Sequence, residues 1–221
     1  MFRHTRQKGL RMHLTLMAHD FSKHTVLSAN SAAEDFGYQF EWVTKNHPDR
    51  ENLQSFIADT FYKTYGADVH HFSDILVGCR DSKGQWLAAL GFSPINDKKV
   101  FLEQYLDLPL DQEISARVGE HTLRSEIVEV GNLAAIHAGA GRALIITMTR
   151  YLNSQGSKWV AFTATHNLLN SFKRLRIKLT QLAEADPKRL ADKGKNWGTY
   201  YDTEPQVMFG DIASGYAQLD Q

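Results

Sequence analysis

The sequence predicts an α/β domain built around a parallel pair of strands. A long strand pattern at 125–134 runs straight into a glycine-rich segment at 139–141, and a helical pattern and a further strand at 159–163 follow. Because a strand, a connecting helix and a second strand in this order form a right-handed crossover, the two strands are expected to lie side by side. A chain of 221 residues that is 43% hydrophobic is long enough to bury such a core.

Strands and helices alternate with turn signals before this unit. Pro48 opens a helical pattern that Gly66 ends, and the turn composition Asp81-Ser-Lys-Gly84 predicts an antiparallel hairpin between the strand patterns beside it. A third strand is expected to extend the sheet. In chain order the predicted elements are a strand at 38–43, a helix at 48–65, strands at 75–80, 86–92 and 100–106 and a helix at 110–119.

After the unit, the pattern predicts a helix at 167–175 and an edge strand or ordered tail at 200–208. At the other end, residues 1–36 read as an N-terminal extension with a short strand at 10–16. The chain between carries neither a repeat nor a linker. The domain organisation expected from the sequence is therefore the extension followed by a single domain at 37–221.

The charge balance limits the partners. The 25 basic and 25 acidic side chains give a formal net charge of zero, which argues against a dedicated nucleic-acid binder, yet residues 141–195 hold 11 basic and 3 acidic side chains. A single cysteine, Cys79, cannot form an internal disulfide and reads as a buried small hydrophobe. Polar residues interrupt the apolar N-terminal segment, and no run is long enough to span a bilayer, so a cytoplasmic protein is expected.

The glycine-rich segment is the first candidate site. A strand-to-helix turn exposes backbone N–H groups at the positive end of the helix dipole, which is a favourable place for a phosphate. Two glycines at such a turn can also serve packing alone, and this alternative stays open. The residues expected to bind a phosphorylated cofactor there are His137, Ala138, Gly139, Ala140, Gly141 and Arg142.

A basic cluster at 173–178 accounts for much of the local positive charge. It ends the predicted helix at 167–175, where cations also complement the negative end of the helix dipole. Together with the glycine segment, it favours a binding surface for a phosphorylated ligand or an acidic carrier protein. Asn170, Lys173 and Arg174 are the donor-binding residues expected from this helix.

These segments resemble a known fold. The order of strand, glycine loop, helix, strand and helix from 125 to 176 resembles the core of the GCN5-related N-acetyltransferase fold. The runs Phe101-Leu-Glu-Gln-Tyr-Leu-Asp, Glu129-Val-Gly-Asn-Leu-Ala, Phe162-Thr-Ala-Thr and Trp197-Gly-Thr-Tyr-Tyr are similar to signatures of the thermostable hemolysin family, over about 38–212. The resemblance implies a mixed, mostly antiparallel sheet with a central parallel strand pair, flanked by helices, and acyl transfer as in the acyl-homoserine-lactone synthases.

Two segments depart from the acetyltransferase pattern. The polar residue that opens its phosphate loop is replaced by Ile136, with His137 one step later. The tyrosine that protonates the departing thiolate in that family is replaced by Phe172, and Arg176 replaces a glycine. Either another group or water protonates the thiolate, or the chain binds an acyl carrier without this chemistry.

Acyl transfer to an amine needs a base, and two glutamates are candidates. Glu129 shares a strand face with Ile127 and Leu133, and its carboxylate on an apolar face is expected to have a raised pKa; a structural role, paired with a buried Arg or with backbone donors, is the alternative. Glu103, beside Phe101, is the second candidate. Backbone N–H groups at a strand bulge, from Leu133, Ala134 and Ala135, are expected to hold the oxyanion.

The sequence therefore favours an N-acyltransferase that moves a long acyl group from acyl-CoA or acyl carrier protein to a small amine such as an amino acid. No metal is expected, because the histidines lack metal-site spacing. Two alternatives stay open. One is a membrane-lytic protein, suggested by the family name and the cationic, apolar N-terminal segment; the other is a non-catalytic module that binds an acyl carrier.

Overall fold

The computed structural model describes residues 37–97 and 99–220. The predicted extension at 1–36 and its strand at 10–16 lie outside these residues. The strands are β1 (Gln39–Val43), β2 (Ile75–Arg80), β3 (Trp86–Pro94), β4 (Ile127–Ala135), β5 (Trp159–Ala164), β6 (Thr180–Glu184) and β7 (Gln206–Asp211). The helices are α1 (Arg50–Tyr65), α2 (Leu110–Val118), α3 (Ala138–Ser154), α4 (His166–Arg174) and α5 (Ile212–Leu219).

The seven described strands form one mixed sheet in the order β1-β2-β3-β4-β5-β7-β6. Only β4 and β5 are parallel; every other described pair is antiparallel. The parallel register runs from Ile127 opposite Trp159 to Val130 opposite Phe162 and stops there, although both strands continue. The predicted parallel pair is confirmed, and its two strands diverge beyond Val130.

Helices cover both faces of the sheet, because side chains alternate along each strand. Ile127 on β4 packs into the cluster that holds Leu110 and Ile114 of α2. Val128, its neighbour, packs instead against Leu144 of α3. The first face is covered by α1 as well as α2, and on the second α3 is joined by α4 and α5. The core is therefore two apolar layers separated by the sheet.

Glycines end two predicted elements as expected. Gly66 caps α1 with a φ of +68°, and Gly84 closes the β2–β3 hairpin with a φ of +77°, a backbone conformation that glycine adopts without steric cost. The hairpin buries Cys79 fully, and burial raises the pKa of its thiol to about 12, as a structural cysteine requires. Across residues 37–97 and 99–220, the structure holds no helix that is both long and apolar enough to cross a membrane.

The strand predicted at 100–106 is wrong. Residues Phe101–Tyr105 form a 3-10 helix, because side-chain carboxylates take the N–H groups that a strand would give to a neighbour. Val100 N–H donates to Glu103 Oε2 at 3.1 Å, and Leu102 N–H donates to Glu129 Oε1 at 2.8 Å. The apolar pattern here reflects packing onto the sheet face rather than membership of the sheet.

The C-terminal strand lies deeper in the sheet than the sequence predicts. The pattern at 200–208 indicated an edge strand or tail, but β7 lies between β5 and β6 and is buried along its centre. Pro205 is tolerated because it precedes the strand. The edge is formed by β6, which the sequence pattern missed, and α5 was missed too.

One ion pair joins the 3-10 helix to the start of β4. Arg124 Nη1 donates to Glu103 Oε1 at 2.6 Å and to Asp111 Oδ1 at 2.9 Å, and the Glu103 side chain is only 6% exposed. Burial by itself would raise the pKa of Glu103. Hydrogen bonds from Arg124 and from the N–H groups of Leu110 and Val100 outweigh burial and hold that pKa below its usual range.

Replacing Arg124 by methionine is expected to lower the free energy of unfolding by about 3 kcal/mol at pH 7, because it leaves a buried carboxylate without its cation. The carboxylate's lowered pKa contributes stability above the unfolded-state pKa and loses it as the pH falls. The loss should therefore shrink between pH 6 and pH 3. Urea unfolding at each pH measures it. Lys45→Met, which removes an exposed ion pair with Asp74, is the control and should change stability far less; equal losses for both variants would contradict the prediction.

Candidate active site

A cavity of about 240 Å³ passes between the diverging ends of β4 and β5. Its lining includes Glu129, which lies on the α1 and α2 face of the sheet, and Val130, which points to the α3 face. The cavity therefore crosses the sheet at the only place where the parallel register is interrupted, within the described strands. Such a passage is a chemically useful site, since a ligand can reach both faces through it.

The two ends of the cavity differ in character. On the α1 face lies an aromatic chamber, lined by Phe61, Tyr65, Phe101, Trp197, Tyr200 and the Glu129 carboxylate. On the opposite face lies an apolar chamber between α3, α4 and α5, lined by Met148, Thr149, Phe172, Ile177, Leu179 and Gly215. Ring centroids in the aromatic chamber are 5.2 Å apart for Trp197 and Tyr200 and 5.3 Å for Tyr65 and Tyr200, so its wall is one connected cluster.

Glu129 is the buried acid of this site. It is 9% exposed, and Leu102 N–H donates to its Oε1 at 2.8 Å. Burial raises the pKa of Glu129 above its usual range; hydrogen bonds from Leu102 and Phe101 N–H work against that rise and the nearby Glu103 charge adds to it. Glu129 thus has backbone partners, as the structural alternative required, and also the raised pKa expected of a base.

A β-bulge in β4 shapes the passage. The register to β3 shifts between Ala89 opposite Ala134 and Gly91 opposite Gly131, so two residues of β4 face one of β3. Asn132 adopts a φ of +53° there. Because the extra residue reverses the alternation, Leu133 packs with the α3-side cluster, and the prediction that it shares the face of Glu129 is wrong.

The Asn132 side chain holds the bulge in place. Its Oδ1 accepts from Ser73 N–H at 3.0 Å, and its Nδ2 donates to His71 O at 2.9 Å. His71 in turn stacks on Phe101, with ring centroids 5.7 Å apart. Asn132 therefore fixes the loop before β2 against the aromatic chamber, a role that nothing in the sequence pattern indicated.

The pairing of β4 with β3 reduces the number of candidate oxyanion donors. Ile136 N–H donates to Leu87 O at 2.9 Å, and paired residues of an antiparallel ladder alternate between hydrogen-bonded and non-hydrogen-bonded positions. Ala134 N–H consequently points to β3, whereas Ala135 N–H points away from β3, toward the gap beside β5. Of the two predicted donors that remain, Leu133 lines the cavity, whereas Ala135 is not among the described residues that line it.

The glycine segment starts α3 at Ala138, just after β4 ends. His137 is the N-cap residue, and its Nδ1 accepts from Ala140 N–H at 3.2 Å. By helix geometry the N–H groups of Ala138 and Gly139 have no acceptor within the helix, and both residues are exposed. His137 thus caps its own helix, and Ala138, Gly139 and exposed Arg142 remain as the groups that can meet a phosphate.

The basic cluster does not lie beside the glycine segment. Leu179 lies against Gly210, which pairs with Val160 near the start of β5, whereas the glycine segment follows the far end of β4. Since β4 and β5 are parallel, these two positions lie at opposite ends of the strands. Lys173 and Arg174 are exposed near the end at which β5 starts, so the structure does not bring them and the glycine segment into one surface. Asn170 is exposed on the same helix, α4.

Of the remaining predicted residues, one lies at the cavity and one does not. Phe172 lines the cavity and stacks on Phe162 with centroids 5.0 Å apart, so the position of the missing tyrosine is at the site. Glu103 faces Arg124 instead, and it is not among the described residues that line the cavity. Phe61 and Tyr65 on α1 were missed as site residues because aromatic spacing on a helix resembles that of ordinary core packing.

A family model described as thermostable hemolysin matches residues 43–216. Comparison with curated protein sequences gives no match.

Similar solved structures include TofI, FeeM and BjaI. TofI, in a ternary complex with an inhibitor and MTA, is 14% identical with a TM-score of 0.56, covering 82% of this chain and 96% of its own. FeeM, an N-acyl amino acid synthase from uncultured soil microbes, is 12% identical with a TM-score of 0.56 and coverages of 82% and 94%. BjaI, a CoA-dependent acyl-homoserine lactone synthase with MTA, is 16% identical with a TM-score of 0.55 and coverages of 83% and 87%. The expected fold is confirmed.

Glu129→Gln is expected to keep the fold and to become more stable than the wild type as the pH rises. A carboxyl whose pKa is raised by folding contributes its stability while protonated and loses it as the pH rises through the folded-state pKa. Glutamine keeps an acceptor for Leu102 N–H without the buried charge. Thermal unfolding at pH 4 and pH 7 tests this. The difference in Tm, variant minus wild type, should increase with pH; a difference that is constant or decreases would show that Glu129 does not titrate as a buried acid.

Proposed function

This chain belongs to the thermostable hemolysin family, and we propose that it is an N-acyltransferase that moves an acyl group from a phosphopantetheine thioester to a small amine. One observation carries the proposal. The cavity joins a buried carboxylate, Glu129, to an apolar chamber through the gap between β4 and β5. A base on one side and a slot for a hydrocarbon chain on the other are what acyl transfer to an amine requires.

The donor in this proposal is acyl-CoA or the phosphopantetheine of acyl carrier protein. The exposed N–H groups of Ala138 and Gly139 lie at the positive end of the α3 dipole, and Arg142 adds a cation one turn later. A donor phosphate held there places the pantetheine arm along the end of β4, where Ala135 N–H is oriented toward the gap. The similar structure BjaI is described as CoA-dependent, which supports this class of donor.

The acyl chain of the donor occupies the apolar chamber, and the acceptor occupies the aromatic chamber. The walls of the apolar chamber are mostly hydrocarbon, which suits a long chain. Aromatic faces attract a cation and stack with flat groups, so they fit an amine-bearing molecule such as an amino acid. FeeM, a similar structure, is an N-acyl amino acid synthase.

In the proposed reaction Glu129 takes a proton from the acceptor ammonium. The free amine then attacks the thioester carbon, and Leu133 N–H, at the cavity wall, stabilises the oxyanion that forms. The carbon–sulfur bond breaks as the amide forms, and the thiolate leaves with a proton. The raised pKa of Glu129 brings its basicity closer to that of the group it deprotonates, which favours the first step.

Tyr65 is the proposed source of the thiolate's proton. It lines the cavity, and its hydroxyl lies within hydrogen-bonding reach of Thr165, which follows β5. Burial raises the pKa of Tyr65, so the phenol stays protonated and can act as a donor at neutral pH. Tyr65 would thereby supply, from α1, the group that Phe172 lacks on α4.

The family name refers to lysis of cells. We propose that lysis, where it occurs, comes from the product, because an acylated amine is an amphiphile. The enzyme itself would work in the cytoplasm, where both classes of donor are made.

The proposed function is tested by incubating the protein with acyl-CoA donors of increasing chain length and a panel of amines. A thiol reagent should detect released CoA, and mass spectrometry should detect the amide. Cys79, the single cysteine, is fully buried and will contribute little background. A panel without thiol release, together with no binding of any donor in calorimetry, would overturn the proposal. Binding without turnover would instead identify a non-catalytic carrier-binding module.

Glu129→Gln should lower kcat by about 100- to 10,000-fold, the usual contribution of a general base. The wild-type rate should also fall on acidification with an apparent pKa above the glutamate value of about 4.3, since the base must be ionised. Initial rates from pH 5 to 8 measure both effects. Glu51→Gln, on the exposed side of α1, should match the wild type. Full activity of Glu129→Gln would remove Glu129 as the base.

Tyr65→Phe should lower kcat by roughly 100-fold with a small change in KM, because it removes a proton donor and keeps the ring. The loss should be smaller with a donor whose leaving thiol is more acidic, which needs less protonation. Tyr62→Phe is the matched control, since Tyr62 lies on the same helix and is 68% exposed. Equal losses for thiols of different acidity would argue that Tyr65 only packs the chamber.

A further inference from the structure

The C-terminal helix forms part of the wall of the apolar chamber. α5 packs on α3, and Gly215 of α5 is buried and lines the chamber between Thr149 of α3 and Ile177, which follows α4. The three residues come from three separate segments. This part of the chamber wall is therefore a junction of three segments, and Gly215, its smallest residue, leaves the most space there.

A glycine at position 215 is not required by the backbone. Gly215 lies within a helix, and it is not among the residues with positive φ. Glycine is less favourable than alanine inside a helix, so its presence here has a cost in stability. A residue that costs stability and is not needed for backbone conformation is better explained by the space that it leaves open.

The distances around Gly215 show how much space its missing side chain leaves. A Cβ placed on Gly215 would lie 3.5 Å from Thr149 Cγ2 and 3.7 Å from Ile177 Cγ2, both ordinary van der Waals distances. A methyl group therefore fits without a clash. Any longer side chain has to extend past Thr149 and Ile177 into the chamber, since both of these neighbours line it.

We propose that Gly215 is the residue that sets the length of acyl chain this enzyme accepts. The inference rests on the proposed acyl-transfer function and adds to it a specificity determinant outside the reacting groups. The end of a straight acyl chain meets the wall at Gly215, so each atom added there removes room for a methylene group. Losing the fit of one methylene changes relative rates by about 10- to 200-fold.

The test is a series of substitutions at position 215. Gly215→Ala and Gly215→Leu are compared with the wild type for kcat/KM over saturated acyl-CoA donors from 4 to roughly 16 carbons. Calorimetry with the corresponding S-alkyl-CoA thioethers, which cannot react, gives chain-length dependence of binding without turnover. Ala217→Leu adds the same side chain to the exposed face of the same helix and is the matched control.

Gly215→Ala is expected to raise Tm by a few degrees, because alanine favours the helix, and to shift the preferred chain to a shorter one. Gly215→Leu should shift it further, with a loss of at least 10-fold for the longest chain that the wild type uses and little loss for the shortest. Ala217→Leu should keep the wild-type profile. For each variant at position 215, the chain-length dependence of thioether binding should change in the same direction as that of kcat/KM.

Two failures are distinguishable. If the wild type neither binds nor turns over any donor, the proposed function falls, and the inference falls with it. If the wild type is active and folded Gly215→Ala and Gly215→Leu keep its chain-length profile, the function stands and the inference is overturned. Should Gly215→Leu fail to fold, the alanine variant decides alone, since its methyl group fits the structure.

Discussion

The divergence of β4 and β5 is the constraint on which the rest of the structure depends. Four pairs, from Ile127 with Trp159 to Val130 with Phe162, join the strands, and beyond them the backbone groups that face the gap have no strand partner. Unpaired peptide groups inside a sheet are costly, so a gap of this kind persists only where the surrounding packing imposes it. Here the bulge at Asn132, anchored to the loop before β2, turns the end of β4 away from β5.

Two buried carboxylates near this gap have opposite environments and opposite consequences. Glu103 faces a guanidinium and two backbone donors, and its pKa is lowered, so its charge contributes to stability. Burial, opposed by backbone donors and reinforced by the charge of Glu103, raises the pKa of Glu129, so its charge is held at a cost. Glu103 belongs to the 3-10 helix Phe101–Tyr105, and Glu129 accepts a hydrogen bond from Leu102 of the same helix, which therefore connects a stabilising ion pair to the wall of the cavity. A costly charge at a cavity wall is typical of a functional group.

Local patterns predicted the elements that satisfy their own hydrogen bonds or lie next to their partners in sequence. The helix ending at Gly66, the hairpin around Gly84 and the β4-α3-β5 unit are of this kind. The strand expected at 100–106 was wrong because the acceptor of Leu102 N–H is 27 residues away, on Glu129. The face assigned to Leu133 was wrong because a bulge depends on the neighbouring strand, and a period-two pattern contains no sign of it.

The sequence by itself determined the class of fold, the parallel pair and Glu129 as the acid on its central strand, because periodicity and residue type are local properties. The tertiary structure alone decided which backbone groups face the gap. It also placed the basic cluster and the glycine segment at opposite ends of the central strands, and it brought Tyr65 of α1 and Gly215 of α5 to one cavity. Those relations join residues far apart in the chain. They follow from how the sheet and its helices pack, which no single segment encodes.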